Sequence, residues 1–384
     1  MVAVAEPQAD LREHFAAEHG LAGDRCYSDW RELLAAGEHI DAVVVTTMDR
    51  DHAEPAIAAL EAGHHLLLEK PMAPTWEECR RIAAAAEDAP GITAVCHSLR
   101  YARPFRLLKE VVDSGRLGQV ATVDHLEQVL WWHQAHSFVR GKWGNEARSA
   151  FMLLAKSCHD IDFLTYLLGR RCRAVSSFGS LSYFTEDHAP EGSGERCVDC
   201  GVEPTCPWSA LKLYVDADRE SFPARGASPF DHRREAHLAA VSDGDYGRCV
   251  WKCDNDVVDH QVVALEYEGG ATATLTMTGF TAVGGRRTRV HGTEGVADFS
   301  EHGIEVSRYG QGAVERIEIQ EEAGAHGGGD RRLADAWLQA IRSGDRSGVA
   351  TDVQTSLATH RIVFAAEQAR RERRVVELDE RLNG

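Results

Sequence analysis

Three places in the chain combine residue types and spacings that could do chemistry. Lys70, flanked by Glu69 and Pro71, directly follows the apolar run His65–Leu68. The carboxyl end of a parallel strand is where doubly wound sheets bind ligands. A lysine there could hydrogen-bond a substrate hydroxyl and pass on its proton. Lys156, His159 and Asp160 fall at i, i+3 and i+4, so on one helix they would share a face. A neutral His159 could accept a hydroxyl proton near pH 7. Cys197, Cys200 and Cys206 stand in a C-x2-C-x5-C arrangement, a spacing that lets soft sulfurs share one tetrahedral zinc ion. Cys249 is the expected fourth ligand, with Cys253 or His188 as alternatives, and the ion would be a structural staple for the long insertion over residues 189–247. The bland readings of the same residues are a solvated loop lysine, surface helix charges and unliganded thiols. Cys26, Cys79, Cys96 and Cys172 read as buried small apolar side chains.

These residues need elements to position them. From Asp41 to Cys96, short β-branched runs alternate with alanine-rich stretches of helical period, the pattern of βαβ units in a parallel sheet. Strands are predicted at Ala42–Thr47, His65–Leu68 and Ile92–Cys96. A helix over Ala53–Glu61 stops at Gly63, and another over Thr75–Ala86 opens with Thr75 and Glu78 in capping-box spacing. Val2–Ala5 reads as a strand and residues 10–19 as a helix. Glu6 then stands where an acidic residue meets the ribose of a dinucleotide. No G-x-G-x-x-G occurs in the chain, so the sequence is read as starting after the first strand and its glycine turn. After Pro104 the character changes: a helix near Phe105–Ser114, a strand near Val120–Val129, a helix over 150–168, then period-2 strands at Val257–Tyr267, Ala271–Gly279, Thr288–His291 and Val314–Gln320. Gly324–Gly329 reads as a flexible loop; Leu333–Ile341 and Val353–Arg371 read as closing helices. The expected fold is therefore α/β: a Rossmann-type parallel sheet in residues 1–102, then an α+β domain with a largely antiparallel open sheet in 103–384, whose helices over 331–372 pack back.

The composition removes several classes. The 384 residues suffice for two cores, and a net charge of −18 disfavours nucleic acid and anionic membranes as partners. No apolar run approaches the ~20 residues of a bilayer span. With no secretory leader pattern, ten cysteines read as cytoplasmic thiols or metal ligands. The stretch Trp131–Trp143 mixes aromatic and hydrogen-bonding groups as sugar sites do, making Trp132, His136 and Arg140 substrate-binding candidates. Arg100, Tyr101, Asp256, Asp259 and His260 are further candidates.

The succession Val2–Glu6, Ala42–Thr47, Asp51-His52, Ala59–Gly63 and Glu69-Lys70-Pro71-Met72-Ala73 resembles the Gfo/Idh/MocA oxidoreductase family, and Leu357–Val376 resembles its closing helix and strand. The resemblance implies an NAD(P)-dependent oxidoreductase transferring hydride at a carbinol carbon of a sugar, inositol or related polyol. Lys70 then matches the lysine contacting nicotinamide and substrate, and Thr46, Thr47, His52 and Glu69 lie where cofactor contacts occur. Glu6 matches the ribose-contacting position; its charge would repel a 2′-phosphate and favour NAD over NADP. His159 matches a catalytic or substrate-binding histidine, but Ala155 stands where many members carry aspartate, leaving Lys156 or Asp160 to replace it. A homodimer or homotetramer is implied as well. Two other functions use the same parts: an NAD-dependent glycosidase working by transient oxidation and elimination, and a non-catalytic sugar- or cofactor-binding relative.

Overall fold

The structure is a computed structural model describing residues 1–384 except 37–39, 321, 323, 324 and 379–384. The chain divides into two compact units: Met1–His97 with Arg331–Ala358, and Ser98–Asp330 with Thr359–Gly384.

Among the described residues, the first unit holds five parallel strands in two sheets. β1 (Val4–Ala5) pairs with β2 (Cys26–Tyr27), and β3 (Ala42–Val45), β4 (His65–Leu68) and β5 (Thr93–Val95) form a second sheet in that order. Val45, Leu66, Leu67 and Leu68 are buried, as expected of a sheet covered on its faces. The helix Ala53–Glu61 ends where Gly63 takes a left-handed φ of 84°, a conformation glycine adopts without penalty. Thr75 caps the helix Trp76–Asp88: its hydroxyl accepts from Glu78 N at 3.2 Å and donates to the Glu78 carboxylate at 2.6 Å. Residues 331–358 complete this unit, with Trp337 Nε1 donating to Ile92 O at 3.0 Å and Val95 N to Thr351 O at 2.7 Å.

The second unit is built on nine strands: β6 (Val120–Leu130), β7 (Cys172–Ser180), β8 (His260–Tyr267), β9 (Thr272–Thr281), β10 (Gly285–Gly292), β11 (Gly295–Ser300), β12 (Gly303–Arg308), β13 (Val314–Glu318) and β14 (Val376–Glu377). Their order is β13-β12-β11-β10-β6-β9-β8-β7-β14, antiparallel except for the β6–β9 pair. Along β6 the buried positions are Val123, His125, Glu127 and Val129, so two polar side chains face inward on a period-2 strand. The segment between β7 and β8 leaves at Ser180 and returns at His260, its register partner. Asp259 ties this neck, its carboxylate accepting from Ser182 N and Tyr183 N at 2.8 Å each.

Several expectations need correction. The helix predicted over 150–168 is two helices, Met152–Ala155 and Cys158–Leu168, broken at Lys156 and Ser157, so Lys156 does not share a regular helix face with His159 and Asp160. Cys26 and Cys96 are only partly buried, unlike Cys79 and Cys172; Cys26 Sγ donates to Ala22 O at 3.4 Å. Of the predicted 324–329 loop, Gly324 lies outside the described residues, and Ala325–Gly328 forms a short 3-10 turn.

Candidate active site

In the first unit, Val45 and Leu68 are register partners at the carboxyl ends of β3 and β4. Thr46-Thr47 and Glu69-Lys70 therefore leave the sheet along one edge. Glu69 N donates to Val45 O at 2.9 Å and Lys70 N to the Glu69 carboxylate at 3.0 Å. Thr46 and Thr47 are exposed. His52 is instead buried, its ring nitrogens 2.7 Å from Pro71 O and 3.1 Å from Thr47 O. It braces the two loops against each other. Glu6, at the end of β1, accepts from Gln8 N at 2.8 Å.

In the second unit the break at Lys156 and the inward face of β6 build a continuous network of charge. Lys156 Nζ lies 3.0 Å from Glu127 Oε1. Glu127 Oε2 lies 3.1 Å from Arg286 Nε, its cross-strand partner on β10. Arg286 donates to Asp160 at 2.6 Å, and His125, 2.8 Å from Thr288, bonds the same carboxylate at 2.9 Å. Burial would raise the Asp160 pKa, but Arg286 and His125 outweigh it and hold the carboxyl well below the ordinary range. Lys156, Glu127 and Arg286 line a cavity of about 260 Å³ with His133, Glu301 and His326. His326 stands 5.3 Å, ring to ring, from His159 and bonds Asp330 at 3.0 Å. A second, shallower hollow of about 760 Å³ lies over β10–β13.

The other predicted site residues have different tasks. Arg100 makes a bidentate bond to Asp162 at 2.7 and 2.8 Å, and Thr359 Oγ1 joins that carboxylate at 3.1 Å. Tyr101 is buried. Trp132 stacks on His133, centroids 5.5 Å apart, so His133 is what brings the aromatic stretch to the cavity. His136 is stacked on Tyr246 at 4.6 Å; burial first, then Arg140, pushes its pKa down to about 4. Arg140 turns into the interior, onto Arg248 O and Trp208 O. Asp256 is exposed and accepts from Glu146 N at 2.8 Å, and His260 pairs with Asp259 at 2.7 Å. Among the described residues no group of three or more His, Cys, Asp or Glu is drawn together as a metal cluster, so the expected zinc centre is not seen formed; Cys197, Cys200, Cys206 and Cys249 line one small cavity. Glu127, His125, Arg286, His133 and His326 were not singled out from sequence. The polar pair on the inward face of β6 was the available signal.

The first unit is a Rossmann-type parallel sheet with loops gathered at its strand ends, and the second carries a polar cavity beside its sheet, an arrangement suited to a nucleotide-dependent enzyme. Residues 1–97 match the oxidoreductase family with NAD-binding Rossmann fold, and residues 109–378 match that family's C-terminal alpha/beta domain; the chain belongs to the Gfo/Idh/MocA oxidoreductases. It is 25% identical to YteT of Bacillus subtilis, a protein named as an oxidoreductase by inference, over 77% of this chain and 71% of that one. It is 32% identical to inositol 2-dehydrogenase 2 of Saccharopolyspora erythraea, over 45% of this chain and 44% of that protein. The latter alignment spans less than half of either chain. The fold is shared with levoglucosan dehydrogenase in complex with NADH and levoglucosan: TM-score 0.72, 19% identity, covering 99% of this chain and 90% of that one.

Proposed function

We propose that this chain is an NAD-dependent oxidoreductase that transfers hydride at a carbinol carbon of a sugar, inositol or related polyol. The observation carrying this reading is the cavity lined by Lys156, Glu127, Arg286 and His133, where charged groups and an aromatic ring suit a small polyhydroxylated ligand. The residues at the strand ends fit a dinucleotide: Thr46, Thr47, Glu69 and Lys70 leave one sheet edge together, and Glu6 offers a carboxylate of the kind that bonds ribose hydroxyls. The dinucleotide supplies the hydride acceptor when bound. Lys70 polarises the hydroxyl being oxidised, and His159 accepts its proton. Where Ala155 stands in place of the family's aspartate, Lys156, anchored by Glu127 at 3.0 Å, takes over as a hydrogen-bonding group of opposite charge. His52 acts by bracing the loops that carry Thr47 and Pro71.

The reading extends to assembly and compartment. Phe178 and Val262, cross-strand partners, are 65% and 41% exposed on the open sheet, which supports a homodimer or homotetramer. All ten cysteines are free thiols, which supports a reducing, cytoplasmic setting.

Calorimetric titration with NAD and NADP, followed by a screen of sugars and inositols for NADH formation, tests the proposal. Tighter binding of NAD and turnover of a polyol support it, with Lys70→Ala and His159→Ala each lowering kcat by about 10²–10⁴-fold. Cleavage of a glycoside without net NADH formation would select elimination chemistry instead. Absence of dinucleotide binding would overturn the enzymatic reading.

A further inference from the structure

Packed against the insertion between β7 and β8 is a fully buried cation, Arg140 on the helical segment that follows β6, whose hydrogen-bond partners carry no negative charge. Arg140 is 1% exposed. Its Nε donates to Arg248 O at 2.8 Å, its Nη2 to Trp208 O at 2.7 Å and towards Cys197 Sγ at 3.6 Å, while Nη1 has no hydrogen-bond partner. Among the described residues no carboxylate pairs with it. Taking a guanidinium out of water without a counter-charge is costly, and here carbonyls, a thiol and the Tyr214 ring 5.9 Å away stand in for one.

Beside Arg140 lies a cavity of about 10 Å³ lined by Cys197, Cys200, Cys206 and Cys249. That is room for one water-sized particle, too small for a sugar or a cofactor fragment. Three chain segments supply the sulfurs. Cys197 opens the 3-10 turn Cys197–Asp199 and Cys200 ends it, Cys206 follows the turn Glu203–Thr205, and an isolated antiparallel bridge between Arg196 and Arg248 sets Cys197 beside Cys249. Backbone amides already point at two of them: Ala210 N to Cys197 Sγ at 3.4 Å and Gly194 N to Cys200 Sγ at 3.3 Å. Amide donors of this kind hold thiolates in metal centres. Cys253 is turned away, its thiol donating to Cys249 O at 3.3 Å, and His188 bonds Thr185 at 3.0 Å.

We propose that Cys197, Cys200, Cys206 and Cys249 close on a single zinc ion, and that the resulting doubly negative tetrathiolate centre is the counter-charge of Arg140. Each thiol loses its proton to solvent as it binds, with no change of oxidation state. Binding requires the four side chains to move together, because they are not gathered as a cluster among the described residues; the ion's size matches the cavity they line. The ion clamps the insertion and takes no part in hydride transfer.

Elemental analysis of the full purified chain is expected to give about one zinc per chain. Cobalt substitution is expected to give the visible bands of tetrahedral thiolate ligation. Cys200→Ser and Cys206→Ser should each lose the metal, whereas Cys253→Ser should keep it. Should the serine variants fail to fold, chelator-stripped wild type carries the test: it should take up one equivalent of added zinc and regain melting temperature. Metal-free protein that takes up no zinc, a disulfide among the four cysteines found by mass spectrometry, or metal loss in Cys253→Ser equal to that in Cys200→Ser would overturn the proposal. Dinucleotide binding is read separately, so failure here leaves the enzymatic reading untouched.

Discussion

Two of the arginines buried in the second unit are satisfied in opposite ways. Arg286 sits on the sheet between two carboxylates, Asp160 and Glu127, and its backbone amide bonds a third, Glu301, at 2.9 Å. Arg140, on the segment after β6, reaches into the insertion onto carbonyl oxygens, a sulfur and the ring of Tyr214. Burial works against charge at both. Neighbours outweigh it at both, Asp160 and then Glu127 at Arg286, Tyr214 and then Cys197 at Arg140. The first region carries carboxylate counter-charges of its own; in the second, the proposed zinc centre would supply the counter-charge. Charge accounting thus separates a polar network complete in itself from one that points to a ligand.

Removing Arg286 should have the largest effect. Arg286→Met leaves Asp160 and Glu127 buried with fewer partners, and urea denaturation should show a loss of about 3–5 kcal/mol; a loss below 1 kcal/mol would break the comparison. Next is the pH dependence contributed by His136. Its folded pKa of about 4 lies below the unfolded value near 6.5, so the unfolded chain binds more protons between those values. The contribution is full above pH 6.5 and lost as pH falls to 4, amounting to about 3 kcal/mol at most. A flatter stability profile in His136→Phe over that window checks it. Arg140→Met sharpens the contrast: it should destabilise the zinc-loaded chain by about 1.5–3 kcal/mol, the value of a charge-assisted contact, and the zinc-stripped chain by less. The smallest effect belongs to the half-exposed pair Arg116–Glu315 at 2.7 Å, where Arg116→Ala should cost under about 1 kcal/mol and less still in high salt.

What the sequence made legible was local. The parallel strands of the first unit, the Thr75 cap, the Gly63 stop and the Glu69-Lys70 edge depend on neighbours a few residues away. The cavity does not: Glu127 meets Arg286, and His125 meets Thr288, through a pairing of β6 with β10 that no short window contains. β7 escaped because its polarity is inverted, with Phe178 outward and Ser177 inward. β11 escaped because its inward residues include Gly295 and Ala297, too small to mark a strand by hydropathy. The break at Lys156 was hidden by an apolar period that continues through it. The cysteine spacing is visible in sequence, but the burial of Arg140 beside those cysteines comes from tertiary packing that no short window contains.

The pinned neck of the insertion gives this protein a modular character. Ser180 and His260 are already strand partners, and Asp259 N returns to Ser180 O at 3.0 Å. A segment whose ends coincide adds almost no loop-closure entropy to the sheet that carries it. Residues 181–258 can therefore vary in length without moving the β7–β8 register, so long as the replacement still covers Ala135, Val139 and Arg140, which pack against the insertion.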